Sequence, residues 1–308
     1  MMQPLSFYAN GKLLISGEYL VLHGAKALAV PLKQGQCMEV AQGEAGCFTW
    51  TSLYLGHEWF SAKFGPRLDV LTTSTPKRAG IIAQILHTAL AMANHQPEKL
   101  LGVHVIHTLG FAPSWGWGSS STLIANLSQW LNIDAFELSR RTLGGSGYDV
   151  ACARATGPLF YRLDNEKPMI EPTSFHPPFA DHLCFVFLGQ KQDSRHAVAH
   201  FDRKGSPAQT IIDHVSQLSL QMGQCQQLQE FMELMEKHEA VVSAQIGITP
   251  VKDRFFGDFN GAVKSLGAWG GDFVMAASEL APEETLRYFS TKGYPTLFRF
   301  HQIVLNNA

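Results

Sequence analysis

The run Gly116-Trp117-Gly118-Ser119-Ser120-Ser121-Thr122 lies between an apolar segment and a segment of helical periodicity. Glycines let a backbone approach a ligand closely and adopt conformations that other residues avoid. The outward N–H groups of a helix start, together with the helix dipole, favour an anion there. The serine and threonine hydroxyls add donors, and one hydroxyl could ligate Mg²⁺. The chemistry in view is therefore phosphate binding. The pattern is not GxxxxGK[ST], so the P-loop NTPase assignment fails. Nor is it a GxSxG nucleophile elbow, and Gly145-Ser146-Gly147 does not complete one either. A plainer account is a serine N-cap behind a flexible loop, and this segment alone leaves both open. His196 and His200 have the i, i+4 spacing that zinc sites use. No glutamate stands between them as in HExxH and no third ligand is evident, so two exposed histidines suffice.

The elements that would hold this loop can be read from periodicity. Residues 102–108 (GVHVIHT) are expected as the strand before it, and Leu123, Ile124, Leu127, Trp130 and Leu131 line one face of the helix after it. Short strands are expected at 6–9, 13–16, 18–22, 38–40 and 48–51, with Asn10-Gly11 and Ser16-Gly17 as punctuation. Thr75-Pro76 starts a helix whose apolar stripe is Ile82, Ile85, Leu86, Ala89 and Ala93. Asp134 and Glu137 form a capping-box pattern for a helix ending near Gly144-Gly145. A strand at 159–163 precedes a polar, proline-containing stretch, 164–178, which reads as a domain boundary. The expected domains are 1–170 and 171–308. The second half reads as a strand (LCFVFLG), helices at 207–226 and 229–246, strands at 262–266 and 273–277 around a glycine loop, a helix from Pro282 and a strand near Leu297. Met222, Met232 and Met235 are expected to fill a core or an interface.

Composition narrows the function classes. At 308 residues, with 45% hydrophobic and 16% charged side chains, the chain is globular and long enough for two cores. A formal charge of -2 without long basic or acidic runs argues against nucleic-acid and polybasic membrane surfaces. The five cysteines are odd in number, widely spaced and without a CxxC pair, which predicts reduced thiols in a cytoplasmic protein. No signal-peptide pattern and no bilayer-length apolar run are present.

Two further segments bear on the loop. One is Asn10-Gly11-Lys12-Leu13-Leu14-Ile15-Ser16-Gly17-Glu18-Tyr19-Leu20-Val21-Leu22-His23-Gly24; the other is Lys264-Ser265-Leu266-Gly267-Ala268-Trp269-Gly270-Gly271. With the central loop, they resemble the three motifs of the GHMP kinases (galactokinase, homoserine kinase, mevalonate kinase, phosphomevalonate kinase). The first is similar to PGKxxxxGExxxxxG, the second to PxxxGLGSSA and the third to KxxGAGGGG. Their order along the chain also matches, and together they span most of it. The sequence departs from the family at Asn10, Trp117, Ser121, Trp269 and Asp272, and Trp269 would crowd the third loop if that loop packs over phosphates.

The resemblance implies an α+β protein with an N-terminal α/β domain and a C-terminal ferredoxin-like domain. It implies ATP and Mg²⁺ as cofactors and a small-molecule alcohol as phosphate acceptor, mevalonate first. Tyr19 stands where mevalonate kinases commonly carry histidine and resembles phosphomevalonate kinases instead. Homoserine kinase, diphosphomevalonate decarboxylase and a non-catalytic sensor share the frame. Asp149, at the end of Gly144-Gly145-Ser146-Gly147-Tyr148, resembles the catalytic aspartate; as a residue alone it equally suits a helix cap. Lys12 would lower the pKa of Asp149 and stabilise the transferring phosphoryl group. Gly116, Trp117, Gly118, Ser119, Ser120, Ser121, Gly267, Ala268, Gly270 and Gly271 would bind ATP. Ser120, with Ser119 as its near alternative, and Glu137 would ligate the metal, and Glu18 and His23 would line the substrate side. Partners beyond a small molecule are not implied, with a homodimer left open.

Overall fold

Asn10-Gly11 does not interrupt the first strand. In the computed structural model of this chain, which describes residues 4–189, 201, 205–269 and 272–306, β1 runs through it from Leu5 to Ser16. The expected strand at 18–22 is instead a 3₁₀ turn, Leu20–His23. Val21 N donates to Gly17 O at 2.9 Å and Leu22 N to Tyr19 O at 3.0 Å, so the chain coils where its β-branched and aromatic residues suggested extension. Tyr19 takes φ 63°, ψ -50° at the start of this turn.

Two compact units result, and they interleave along the chain. The first comprises Met1–Gly11, Gln34–Pro113 and Trp117–Arg154; the second comprises Lys12–Lys33, Ser114–Gly116 and Ala155–Ala308. A cut after residue 170 therefore falls inside the second unit.

The first unit is a sheet covered by helices. After β2 (Ala27–Gln42) come β3 (Phe48–Tyr54), β4 (His57–Phe64) and β5 (Val70–Thr73), then α1 (Pro76–Met92) and β6 (Val103–Leu109). The strand order is β5-β4-β3-β6-β2, with β3 and β6 parallel and the other neighbours antiparallel. Helices α2 (Ser119–Leu131), α3 (Ala135–Thr142) and α4 (Tyr148–Arg154) follow. Phe48 and Trp50 alternate with half-buried threonines on β3, the period-2 pattern of a strand with one covered face. They pack into one core with Ile82, Ile85 and Leu86 of α1, Ile124 and Leu127 of α2 and Leu138 of α3. Asp134 caps α3 as expected, accepting a hydrogen bond from Glu137 N.

His107, in the middle of β6, is fully buried and stacked on Trp50, ring centroids 4.5 Å apart. Neither ring nitrogen has a hydrogen-bond partner among the described residues. Burial pushes its pKa down to about 3. The folded state therefore holds His107 neutral, whereas an unfolded chain takes up a proton below about 6.5. Stability from this group is complete above that pH and is lost as pH falls toward 3, at up to about 1.4 kcal/mol per pH unit. His107→Phe keeps an aromatic ring against Trp50 and removes the titration. Denaturant unfolding between pH 4 and 6 should show a shallower acid slope for the variant; equal slopes would remove His107 as the cause.

The second unit begins with the N-terminal part of β2, where Ala27–Ala29 pair with Leu159–Tyr161 of β7 (Leu159–Asp164). The stretch expected as a linker contains β8 (Lys167–Pro172), hairpinned to β7 through Asn165 and Glu166, both at positive φ. Two consecutive positive-φ residues are the backbone of a tight hairpin turn.

The remaining elements are β9 (Leu183–Phe187), α5 (Gln209–Gln224), α6 (Leu228–Ile246), α7 (Val251–Phe255), β10 (Ala262–Ser265), β11 (Phe273–Ala277), α8 (Pro282–Thr291), β12 (Leu297–Arg299) and α9 (Phe300–Ile303). The sheet order is β10-β11-β9-β12, antiparallel throughout. Helices between β9 and β10 and between β11 and β12 complete a β-α-β-β-α-β arrangement, the ferredoxin-like fold that was expected. Val186, Val263, Val274 and Ala276 pack against Phe256, Phe259 and Phe289. Met222 and Met235 are buried in the helical layer, as expected of core filling.

Candidate active site

Gly118 is the N-cap of α2 and sits in the left-handed region, φ 91°, ψ 36°, where a side chain would be strained. Its carbonyl accepts from Thr122 N at 2.9 Å and from Ser121 Oγ at 2.8 Å. Thr122 Oγ1 also lies 2.7 Å from Gln36 Oε1, and Asn126 Nδ2 donates to Gln36 O at 3.0 Å. These buried contacts fix α2 on β2, so the direction of the helix start is set by the sheet.

The serines of this helix start are not equivalent. Ser121 is buried and turned back onto Gly118, which removes its side chain from the expected ATP contacts. Ser120 is exposed and Ser119 half-buried, and neither hydroxyl has a hydrogen-bond partner among the described residues. Trp117 is fully buried with its ring 5.8 Å from that of Phe111. It anchors the loop, and only its backbone is left to face a ligand.

Asp149 lies in the first turn of α4, one residue past its start at Tyr148, and is half-buried. Its Oδ1 lies 3.0 Å from Val150 N. It is within the helix rather than the residue that precedes it, and a carboxylate there is favoured by the helix dipole. α4 packs on α2 through Ala153 and Ala125.

Glu137 accepts from Arg140 Nε at 2.9 Å, from Arg140 Nη2 at 2.8 Å and from Arg141 Nε at 2.5 Å. These arginines hold its carboxyl below the usual range. Both oxygens are thus committed to arginines, which does not suit the metal role expected of it. Among the described residues, no group of three or more histidine, cysteine, aspartate or glutamate side chains could hold a metal ion. His196 and His200 lie outside the described residues, as do Gly270 and Gly271.

In the second unit, Lys12 of β1 reaches the loop strand that precedes Trp117, donating from Nζ to Gly116 O at 3.1 Å. Gly267 has φ 68°, and Ala268 O accepts from the Tyr19 hydroxyl at 2.9 Å. Trp269 takes φ 48° and turns its ring into a core with Tyr19, Leu20, Phe201, Ile212 and Val242. His23 packs edge-on against Phe201, ring centroids 5.6 Å apart.

Glu18 is 1% exposed, which excludes it from direct substrate contact. Its Oε1 accepts from Lys264 Nζ at 2.5 Å, and Lys264 also donates to Ser265 O at 2.8 Å. Burial raises the Glu18 carboxyl to about 7, against the pull of the Lys264 ammonium. His238 accepts from Gly17 N at 2.8 Å through Nε2, so that nitrogen is unprotonated. Glu239 accepts from Ser265 N at 3.0 Å and from Ser265 Oγ at 2.9 Å. The first and third sequence motifs are therefore joined by a buried ionic contact between Glu18 and Lys264. A buried glutamate near the N-terminus and a buried lysine late in the chain carry no periodic signal that would have paired them.

No family model matches the sequence, and no curated protein sequence matches it significantly. Solved structures do. Mevalonate kinase of Methanococcus jannaschii superposes with a TM-score of 0.73 over 99% of this chain and 99% of its own, at 17% identity. Streptococcus pneumoniae phosphomevalonate kinase, in complex with phosphomevalonate and AMPPNP, gives 0.71 over 97% and 100% at 18% identity. Lactococcus lactis galactokinase complexed with galactose gives 0.67 over 98% and 94% at 12% identity. The chain has the fold shared by these GHMP kinases.

Proposed function

We propose that this protein transfers the γ-phosphate of ATP to a small-molecule alcohol, with mevalonate as the first candidate. The observation that carries this is the start of α2, where a left-handed Gly118 opens the helix and the Ser119 and Ser120 hydroxyls have no hydrogen-bond partner among the described residues. That surface suits the phosphates of a nucleotide. The fold likeness to mevalonate kinase and to a phosphomevalonate kinase holding AMPPNP supports the same reading.

In this reading the acceptor hydroxyl gives its proton to the Asp149 carboxylate while its oxygen bonds to the γ-phosphorus and the bond to the departing ADP breaks. Lys12 contributes positive charge beside Gly116. Bound Mg²⁺ supplies neutralisation of phosphate charge. The exposed Ser120 hydroxyl fits as an oxygen ligand, with Ser119 beside it; Glu137, held by two arginines, does not fit. Gly267 and Ala268 are proposed to approach the nucleotide through their backbone, and His23 to face the acceptor.

A second acceptor is favoured by one residue. Tyr19, in place of the histidine common in mevalonate kinases, supports phosphomevalonate. The deciding experiment is ADP release with Mg-ATP and a panel of mevalonate, phosphomevalonate, homoserine and galactose. Failure of every acceptor, together with no thermal stabilisation by millimolar Mg-ATP, would favour a non-catalytic role. Ser120→Ala is expected to lower turnover at limiting Mg²⁺ while leaving the thermal midpoint unchanged. If Ser119→Ala has that effect instead, the metal-binding hydroxyl is the neighbouring one.

A further inference from the structure

Gly116 is flanked by side chains of opposite charge. On one side, Lys12 Nζ donates to its carbonyl at 3.1 Å. On the other, the Asp272 carboxylate lies against its α-carbon: a β-carbon at position 116 would sit 3.0 Å from Asp272 Oδ2 and 3.1 Å from Cγ. A β-carbon on Gly267 would lie 3.8 Å from the same oxygen. One carboxylate therefore touches both a glycine of the central loop and a glycine of the third motif. Its backbone is fixed: Asp272 O accepts from Leu188 N at 2.9 Å, immediately before β11. Glycine is required at 116 by this approach as well as by its φ of 69°.

A carboxylate at this place is unexpected for a surface meant to receive polyphosphate, since it repels the ligand. We infer that Asp272 is a specificity-determining residue that makes nucleotide binding depend on a divalent cation. Metal-free ATP brings its full negative charge against Asp272. A nucleotide already neutralised by Mg²⁺ meets far less repulsion. The loop thus discriminates against bare polyphosphate, a form of selection by an introduced repulsive element. The inference rests on the nucleotide-binding reading above.

The test is the affinity of the full-length wild type and of Asp272→Asn for ATP in excess EDTA and for Mg-ATP, by titration calorimetry. Asparagine keeps the shape and removes the charge. The variant is expected to bind metal-free ATP at least about tenfold more tightly, with Mg-ATP affinity changed by less than about threefold. The gain should shrink as ionic strength rises, because it is a charge effect, whereas a purely structural role would not respond to salt. Asp272→Ser is expected to shift affinity in the same direction, and thermal midpoints of both variants check that they fold. Unchanged metal-free affinity in a folded variant overturns the inference, as does a selective loss of Mg-ATP binding, which would make Asp272 a metal ligand. A wild type that binds neither form overturns the nucleotide reading itself, and this inference with it.

Discussion

Asp149→Asn is expected to bind Mg-ATP as the wild type does and to phosphorylate an alcohol at least about 10²-fold more slowly, the lower end of what a positioned general base contributes. Asparagine is nearly isosteric and tolerates the first turn of α4, so loss of folding is not expected. It cannot take a proton from a hydroxyl at neutral pH. The result also separates the two acceptors. A phosphate acceptor is already ionised and needs no base, so transfer to phosphomevalonate should fall much less than transfer to mevalonate. Lys12→Met should impair both. The double variant should lose less than the product of the single losses, because residues acting on one step are not additive. Full turnover of every acceptor by a folded, ATP-binding Asp149→Asn protein would reduce Asp149 to a helix-terminal charge.

Lys264→Met is expected to cost about 3–5 kcal/mol of stability at neutral pH, because Glu18, already raised to about 7 with Lys264 beside it, loses its counter-charge and stays buried only by taking up a proton. Lys264 is fully buried and Glu18 is 1% exposed, so solvent cannot take over the role. The effect should lessen in acid, where that proton is taken up at less cost because the unfolded carboxyl also binds one. Replacing both partners, as Glu18→Gln with Lys264→Met, should recover much of the loss, since the remaining groups are neutral. Denaturant unfolding of the three proteins at pH 7 and pH 5 measures this. A double variant as unstable as Lys264→Met would mean that packing of the lysine stem, not the ion pair, holds the two motifs together.

The elements that surround the candidate site were legible where one periodicity dominated. α1 starts at Pro76, β11 spans Phe273–Ala277 and the order of elements in the ferredoxin-like unit follows directly from alternation and helical spacing. Leu20-Val21-Leu22 misleads because their side chains favour a strand while the backbone hydrogen bonds from Val21 and Leu22 close a turn. β8 hides in a polar stretch because most of its residues are exposed, so no apolar alternation marks it. Motif spacing singled out Gly118, Ser120 and Asp149 as candidates. It could not tell that Ser121 turns back onto Gly118 while Ser120 faces outward, since rotamer direction leaves no trace in sequence. Trp269 would crowd the third loop if that loop packs over phosphates. Its left-handed backbone sends the ring into the core, a choice made by the apolar neighbours Leu20, Ile212 and Val242. Asp272 was visible as a departure from the glycine run, but its approach to Gly116 depends on two distant segments meeting.

The interleaving of the two units has a consequence for synthesis on the ribosome. Lys12–Lys33 belongs to the second unit, yet the rest of that unit, apart from Ser114–Gly116, begins only at Ala155. Glu18 must wait 246 residues for Lys264. At translation rates of about 5–20 residues per second, that is on the order of ten seconds or more. During this interval Leu20 and Val21, both buried in the finished protein, have no core to enter. The flanking segments Met1–Gly11 and Gln34–Pro113 can meanwhile assemble the first unit around them. The apolar segment that carries part of the first motif thus waits for its core until the second unit has been made.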